Sequence, residues 1–362
     1  GARRRLAQRR RRRGAATLMR AVLKAAPERG FRIGEVPEPV AGAGEAVVRV
    51  EAASLCGTDL HLHDWNPWAA SRVHPPRVMG HEMGGVVESV GAGASDGVTP
   101  GMRVAVESHI VCGHCPECRR GDFHVCANTR ILGVDVDGVF APRVRVPVRN
   151  VWPIGPDIPF ELAALMEPFG NAVHCCSNGS LRGQVVGVFG CGPIGCAAVA
   201  IARAENAARI VAVDRNRYRL GLAERMGADA VVDASGGDAE AELARAARGA
   251  LDVALEMSGA EQSVVTACRL VRPGGWISLL GIGDRPATLD LSTDVVMKGL
   301  TLYGVTGRRL FSTWERTTAY LTSGRVDPTP LLTHHFALPE VDAAIELMRS
   351  GECGKVVLTP AR

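Results

Sequence analysis

Residues 185–195, VVGVFGCGPIG, decide how the second half of this chain folds. Residues 185–189 form a short apolar run of strand type. Gly190-Cys191-Gly192-Pro193-Ile194-Gly195 then spells Gly-x-Gly-x-x-Gly and leads into an Ala-rich helix over 194–205. The pattern is weak alone. Here it sits between a strand and a helix, and Asp214 ends the next strand (209–213), the context a dinucleotide-binding turn requires. The glycines let the backbone approach a pyrophosphate whose charge rests at the helix N-terminus. Asp214 can accept from both hydroxyls of an adenosine ribose and would repel a 2′-phosphate, so NAD is favoured over NADP. Arg215 and Arg217 temper that preference. Residues 185–202 hold no charge, near the length of a membrane span, but Gly187, Gly190, Gly192, Pro193 and Gly195 break the run. No membrane segment is expected.

Working outward, 219–226 reads as helix, 230–233 as a third strand, and 251–256 and 276–280 continue the alternation. Strands alternating with helices predict a doubly wound parallel sheet of the α/β class. The region from Met19 to Pro168 is different. It is strand-rich, with 46–50, 85–90 and 104–107 as examples, separated by Gly, Pro and Asp turns. The last segment has an amphipathic helix over 340–349 and a final strand over 355–359.

The strand-rich part carries two sets of metal-type residues. Cys112, Cys115, Cys118 and Cys126 stand at C-x2-C-x2-C-x7-C spacing. Four thiolates on one short loop suit tetrahedral zinc and leave no place for a substrate, so this site reads as structural. Upstream, Cys56 and His81 offer a thiolate and an imidazole, and either Glu82 or Glu167 can add a carboxylate. Three protein ligands with one open position define a catalytic zinc, where the cation favours loss of an alcohol proton. Thr58 and His61, two and five residues past Cys56, can relay that proton outward. Each residue alone is more often packing. Their joint occurrence with the nucleotide turn makes a zinc- and nucleotide-dependent enzyme the leading reading.

The chain has 362 residues, 46% of them apolar and 42 of them glycine, as expected of a two-domain globular enzyme. The net charge of +4 comes from the first 14 residues, whose eight arginines, once removed, leave −4. Residues 1–18 are expected to be a disordered arm or an upstream extension, with Met19 as the start of the fold. An arm of this kind could bind nucleic acid, which makes a nucleic-acid-binding zinc protein a remote alternative. Eleven cysteines without a visible signal peptide fit a reducing, cytoplasmic setting. Cys175, Cys176, Cys196, Cys268 and Cys353 have no ligand spacing and are expected to pack.

The stretches 55–68 (LCGTDLHLHDWNPW), 167–174 (EPFGNAVH), 214–220 (DRNRYRL), 252–259 (DVALEMSG), 298–308 (KGLTLYGVTGR) and 347–358 (LMRSGECGKVVL) resemble the zinc-containing medium-chain dehydrogenases. The resemblance covers everything from Met19 onward. It implies a GroES-like β-rich catalytic domain over 19–169 with both zinc sites, a Rossmann domain over 170–312, and a segment over 313–362 that returns to the catalytic domain. It implies oxidation of the 3-hydroxyl of L-threonine to 2-amino-3-oxobutanoate by NAD, with a polyol or 2,3-butanediol as the alternative substrate. It further implies two zinc ions per subunit, the catalytic one on Cys56, His81 and Glu82, a Thr58–His61 relay, and Glu167 near the metal. Gly190, Gly192, Ile194, Gly195, Asp214, Arg219, Leu280, Gly281, Ile282, Val305 and Thr306 would meet the cofactor, and His109 the substrate. The usual assembly is a homotetramer, with neither nucleic acid nor membrane as partner.

Overall fold

A computed structural model describes residues 17–94, 97–283 and 285–360. Residues 1–16, most of the expected arm, lie outside them. Thr17 and Leu18 do not belong to an arm: Leu18 opens the strand Leu18–Lys24, and the Thr17 carbonyl accepts from Glu38 N at 2.8 Å.

Six strands form the predicted parallel sheet: β1 (Val185–Phe189), β2 (Arg209–Asp214), β3 (Ala230–Asp233), β4 (Leu251–Glu256), β5 (Val271–Leu279) and β6 (Thr301–Gly304). Their order is β3-β2-β1-β4-β5-β6, every neighbouring pair parallel. The order reverses between β1 and β4, so a crevice opens beyond their C-terminal ends, where the glycine turn sits. Central β1 is apolar throughout, and its neighbours β2 and β4 carry charges only at or next to their ends, because helices cover both faces. Val186, Val188, Ile210, Ala212, Val253 and Leu255 point to one core with the helix Pro193–Ala204, while Phe189, Val211, Val213, Ala254 and Ile277 point to the other.

The β-rich part is built on a mostly antiparallel sheet. Its order is Val151–Pro153, Arg103–Val106, Glu82–Val90, Glu45–Ser54, Lys355–Thr359 and Leu332–Ala337, with Arg143–Pro147 also pairing on Glu45–Ser54. The C-terminal strand Lys355–Thr359 runs antiparallel to Glu45–Ser54, with Val357 opposite Ser54. Burial of Val48, Val50, Leu55, Leu62, Met83, Phe140 and Leu358 fixes the register, since a one-residue slip would turn every core side chain to solvent.

One expectation needs correcting. The boundary placed at 169/170 falls inside the helix Phe160–Cys176. Glu167-Pro168 reads as a break in sequence, yet Pro168 sits within this helix and is itself buried. Burial of nearly every side chain from Ala163 to Cys176 outweighs the lost backbone hydrogen bond. The helix packs on the β-rich sheet through Ala163 and Met166, and on the parallel-sheet side through Leu165, Ala172 and Val173. The segment after 312 is likewise divided. Trp314 packs with Ala105 and Val111, whereas Tyr320, Val326 and Leu331 join the core beneath Pro193–Ala204.

Candidate active site and metal centres

The helix Gly57–Asp64 begins at Cys56, whose extended backbone makes it the N-cap. Asp59, three residues on, accepts from Cys56 N through Oδ2 at 2.8 Å, half of a capping box. Its other oxygen, Oδ1, lies 4.0 Å from His81 Nδ1. Both atoms are buried without a hydrogen-bond partner. One Asp thus starts the helix that presents Cys56 and faces the far nitrogen of His81, the arrangement that orients a metal-binding imidazole. Thr58 Oγ1 is 3.7 Å from Cys56 Sγ. His61 stands one turn later on the same helix, exposed, and the two are not hydrogen-bonded to each other.

Ligand atoms of Cys56, His81 and Glu82 lie within 4.8 Å of one another. Glu82 is fully buried, and both of its oxygens are engaged: Ser54 Oγ donates to Oε2, and Lys355 Nζ to Oε1 at 2.7 Å. Lys355 comes from the C-terminal strand and also donates to Leu55 O at 2.7 Å. Burial alone would push its ammonium down, but Glu82, with Cys56 beyond it, holds it above the usual lysine value. Thiolate, imidazole and carboxylate, with an unpartnered His81–Asp59 pair behind them, fit a zinc ion.

Glu167 does not join that cluster. It accepts from Ser108 Oγ at 2.5 Å and pairs with Arg308 Nη1 at 2.8 Å. Arg308, only 1% exposed, also pairs with Glu107, whose Oε2 takes a further bond from Trp314 Nε1 at 2.6 Å. Burial would push the Glu107 carboxyl up; Arg308, aided by His109, reverses this and holds it well below the usual carboxylate range. His109 Nδ1 lies 2.7 Å from Arg308 Nη2 and 3.2 Å from Glu107 Oε1. Arg308 and Lys355 fall within two of the family-like stretches, but no local spacing gives them or Glu107 a role, and sequence reasoning assigns them none.

Cys112, Cys115, Cys118 and Cys126 also bring their sulfurs within 4.8 Å of one another. Cys115–Cys126 and Cys126–Cys112 stand 3.8 and 3.6 Å apart. A tetrahedron of ~2.3 Å Zn–S bonds has edges of about 3.8 Å, so the cage fits zinc. Hydrogen bonds from the His114 backbone and the Asn128 side chain draw the Cys112 thiol down to about 5, which favours the thiolate ligand.

At the glycine turn, Gly190 takes φ 89°. A Cβ on Gly195 would lie 1.8 Å from Gly190 O, whereas one on Gly192 would meet open space. Gly192 is the N-cap of Pro193–Ala204 and offers no side-chain cap, so the first amide N–H groups face the crevice. This cradle fits a pyrophosphate. Gly190, Gly192, Asp214, Arg215 and Arg219 line a cleft of about 1060 Å³. Asp214 accepts from Cys191 N (2.6 Å) and Asn216 N (2.8 Å). Arg217, 91% exposed, instead pairs with Asp233 at 3.2 Å, whereas Arg215 and Arg219 line the cleft with Asp214. Leu280 N and Gly281 N donate to Glu256 O; Val305 is buried, while Thr306 and Ile282 are exposed. Gly195→Ala is expected to separate the turn from its helix and lower kcat/KM about a hundredfold, chiefly through the KM for NAD. Steady-state kinetics with NAD varied checks this.

Two family models match the chain: the alcohol dehydrogenase GroES-like domain over residues 42–156, and the zinc-binding dehydrogenase domain over 193–323. The chain belongs to the zinc-binding dehydrogenases of the medium-chain superfamily. Within it, the chain is 45% identical to the L-threonine 3-dehydrogenase of Symbiobacterium thermophilum, over 95% of this chain and 99% of that protein. It is 42% identical to the L-threonine 3-dehydrogenase of Bacillus subtilis, over 94% and 99%. The crystal structure of 2R,3R-butanediol dehydrogenase from Bacillus subtilis superposes with a TM-score of 0.85 at 26% identity, covering 95% of this chain and all of that one.

Proposed function

We propose that the chain oxidises the 3-hydroxyl of L-threonine to 2-amino-3-oxobutanoate with NAD as hydride acceptor. What carries this reading is identity above 40%, over nearly the whole length, to relatives named for that activity. The butanediol alternative rests on a shared fold at much lower identity.

Cys56, His81 and Glu82 hold the catalytic zinc, and the four-cysteine loop holds the structural one. When bound, the catalytic cation supplies Lewis acidity toward the hydroxyl, and the dinucleotide supplies the hydride acceptor. Asp59 orients His81, and Ser54 and Lys355 keep Glu82 in place. Thr58 and His61 carry the proton toward solvent. Glu167, held by Arg308, and His109 face the substrate. The helix Phe160–Cys176 packs against both parts and so joins the metal-type residues to the nucleotide turn.

A homotetramer is part of the same reading. β6 is an edge strand, and the adjoining Leu291, Val296 and Met297 are 60%, 71% and 81% exposed, a surface suited to a second copy. Among the described residues no helix is long and apolar enough to cross a membrane. All eleven cysteines are unpaired, which supports a reducing cytoplasmic setting.

NADH formation by the zinc-loaded enzyme tests the proposal, with L-threonine, 2,3-butanediol, sorbitol and a simple secondary alcohol, each with NAD and NADP. The expected result is a preference for L-threonine with NAD. Preference for a diol would overturn the substrate while leaving the metal and relay assignments.

A further inference from the structure

The stretch 61–68, HLHDWNPW, carries an arrangement that the relay alone does not explain. Asp64 is taken up by Arg349 through two bonds of 2.9 and 2.8 Å. Trp65 closes the helix Gly57–Asp64 with φ 55° and packs against Lys24 Nζ, 5.0 Å from the ring centre. Asn66 does two things at once. Its Oδ1 accepts from Ala69 N at 2.9 Å and so caps the helix Pro67–Arg72. Its Nδ2 lies 3.1 Å from His61 Nδ1.

Together these bonds leave no freedom. A backbone N–H can only donate, so the side-chain oxygen of Asn66 must face Ala69. The amide nitrogen must then face His61, and an NH₂ group can only donate. His61 Nδ1 is therefore the bare nitrogen, and the ring proton sits on Nε2. A second bond, Asn66 N to His61 O at 3.3 Å, ties the two residues through the backbone.

We propose that Asn66 sets the tautomer of His61 and so fixes the direction of proton transfer through the ring. A proton enters at Nδ1, displacing the Asn66 bond, the Nε2 proton leaves to solvent, and proton exchange with solvent at the exposed ring returns the resting tautomer before the next turnover. Asn66 is a positioning residue; the proposal rests on the reading of His61 as the outer end of the relay.

The experiment uses the full-length, zinc-loaded enzyme with ¹⁵N-labelled histidine. Long-range ¹H–¹⁵N correlation reports which nitrogen of each of the ten histidines is protonated, and His61→Gln identifies the His61 signals. The wild type is expected to show bare Nδ1 and protonated Nε2. Asn66→Asp keeps the helix cap but presents only acceptor oxygens to the ring, so the proton should move to Nδ1. Turnover should fall about ten- to a hundredfold with the melting temperature little changed. Asn66→Ser keeps the cap on a side chain too short to reach His61 as well, and should populate both tautomers with an intermediate loss of turnover. In a His61→Gln background, Asn66→Asp should cost no further turnover. A protonated Nδ1 in the wild type, or an unchanged tautomer in Asn66→Asp, overturns the proposal. If the tautomer switches but His61→Gln turns over normally, the assignment stands and the relay reading falls.

Discussion

Arg308→Met is expected to destabilise the folded enzyme by about 3–5 kcal/mol, the typical cost of stranding a buried charge. Arg308 stands between Glu107 and Glu167, and all three are almost wholly buried. Methionine fills much of the volume but leaves two carboxylates with no cation between them. Glu107 keeps its bonds from Trp314 Nε1 and His109 N, which satisfy lone pairs without neutralising charge. The loss should depend on pH. In the wild type the Glu107 carboxyl lies below its ordinary value of 4.5, so its contribution is complete above pH ~4.5 and fades as pH falls through the native value. In the variant the bonds from Trp314 and His109 oppose burial only in part, so that carboxyl is expected to rise and stability to be lost as pH climbs above ~4.5. The gap between the two proteins should therefore widen from pH 4.5 to 7.5. Guanidinium unfolding at both pH values measures it. Glu107→Gln added to Arg308→Met should restore part of the loss; no coupling between the two would remove the account.

Lys355→Met should show a different dependence, on metal. Lys355 is the ammonium facing Glu82, and a zinc ion at Cys56, His81 and Glu82 would supply positive charge to the same carboxylate. Stripped of metal, the variant is expected to lose about 3–5 kcal/mol relative to the stripped wild type. Loaded with zinc, it should lose distinctly less, while kcat/KM falls about ten- to a hundredfold because Glu82 is less well oriented. Thermal unfolding with zinc and with a chelator separates the two. Equal losses in both forms would mean that Glu82 does not face the metal. Glu82→Gln and Glu167→Gln, compared for zinc content, then decide which carboxylate binds, with the loss expected for Glu82.

These two residues mark the limit of what the sequence reveals. The four-cysteine loop, the glycine turn and its distant Asp214 are patterns of short spacing, and spacing is what a sequence displays. Cys56 and His81 are 25 residues apart but sit in recognisable settings. Glu107 and Arg308 are 201 residues apart, and Lys355 and Glu82 are 273 apart. Buried charges look like any others in one dimension, and most charges are on the surface. The helix Phe160–Cys176 was hidden for a related reason. Pro168 argues locally for a break, and only tertiary burial overrides it. Asn66 is close to His61 in sequence, but its role depends on the left-handed residue Trp65, which turns the chain back so that Asn66 meets the helix it has just left.

The C-terminal strand has a consequence for how the protein is made. Cys56, His81 and Glu82 emerge from the ribosome early, whereas the ammonium that faces Glu82 is synthesised 273 residues later. Throughout elongation the nascent chain carries a carboxylate built for burial and no lysine to bury it with. The candidate metal centre is therefore among the last parts of the molecule to be finished: a chain that stalls before Lys355 holds Cys56, His81 and Glu82 but lacks the strand that pairs beside them.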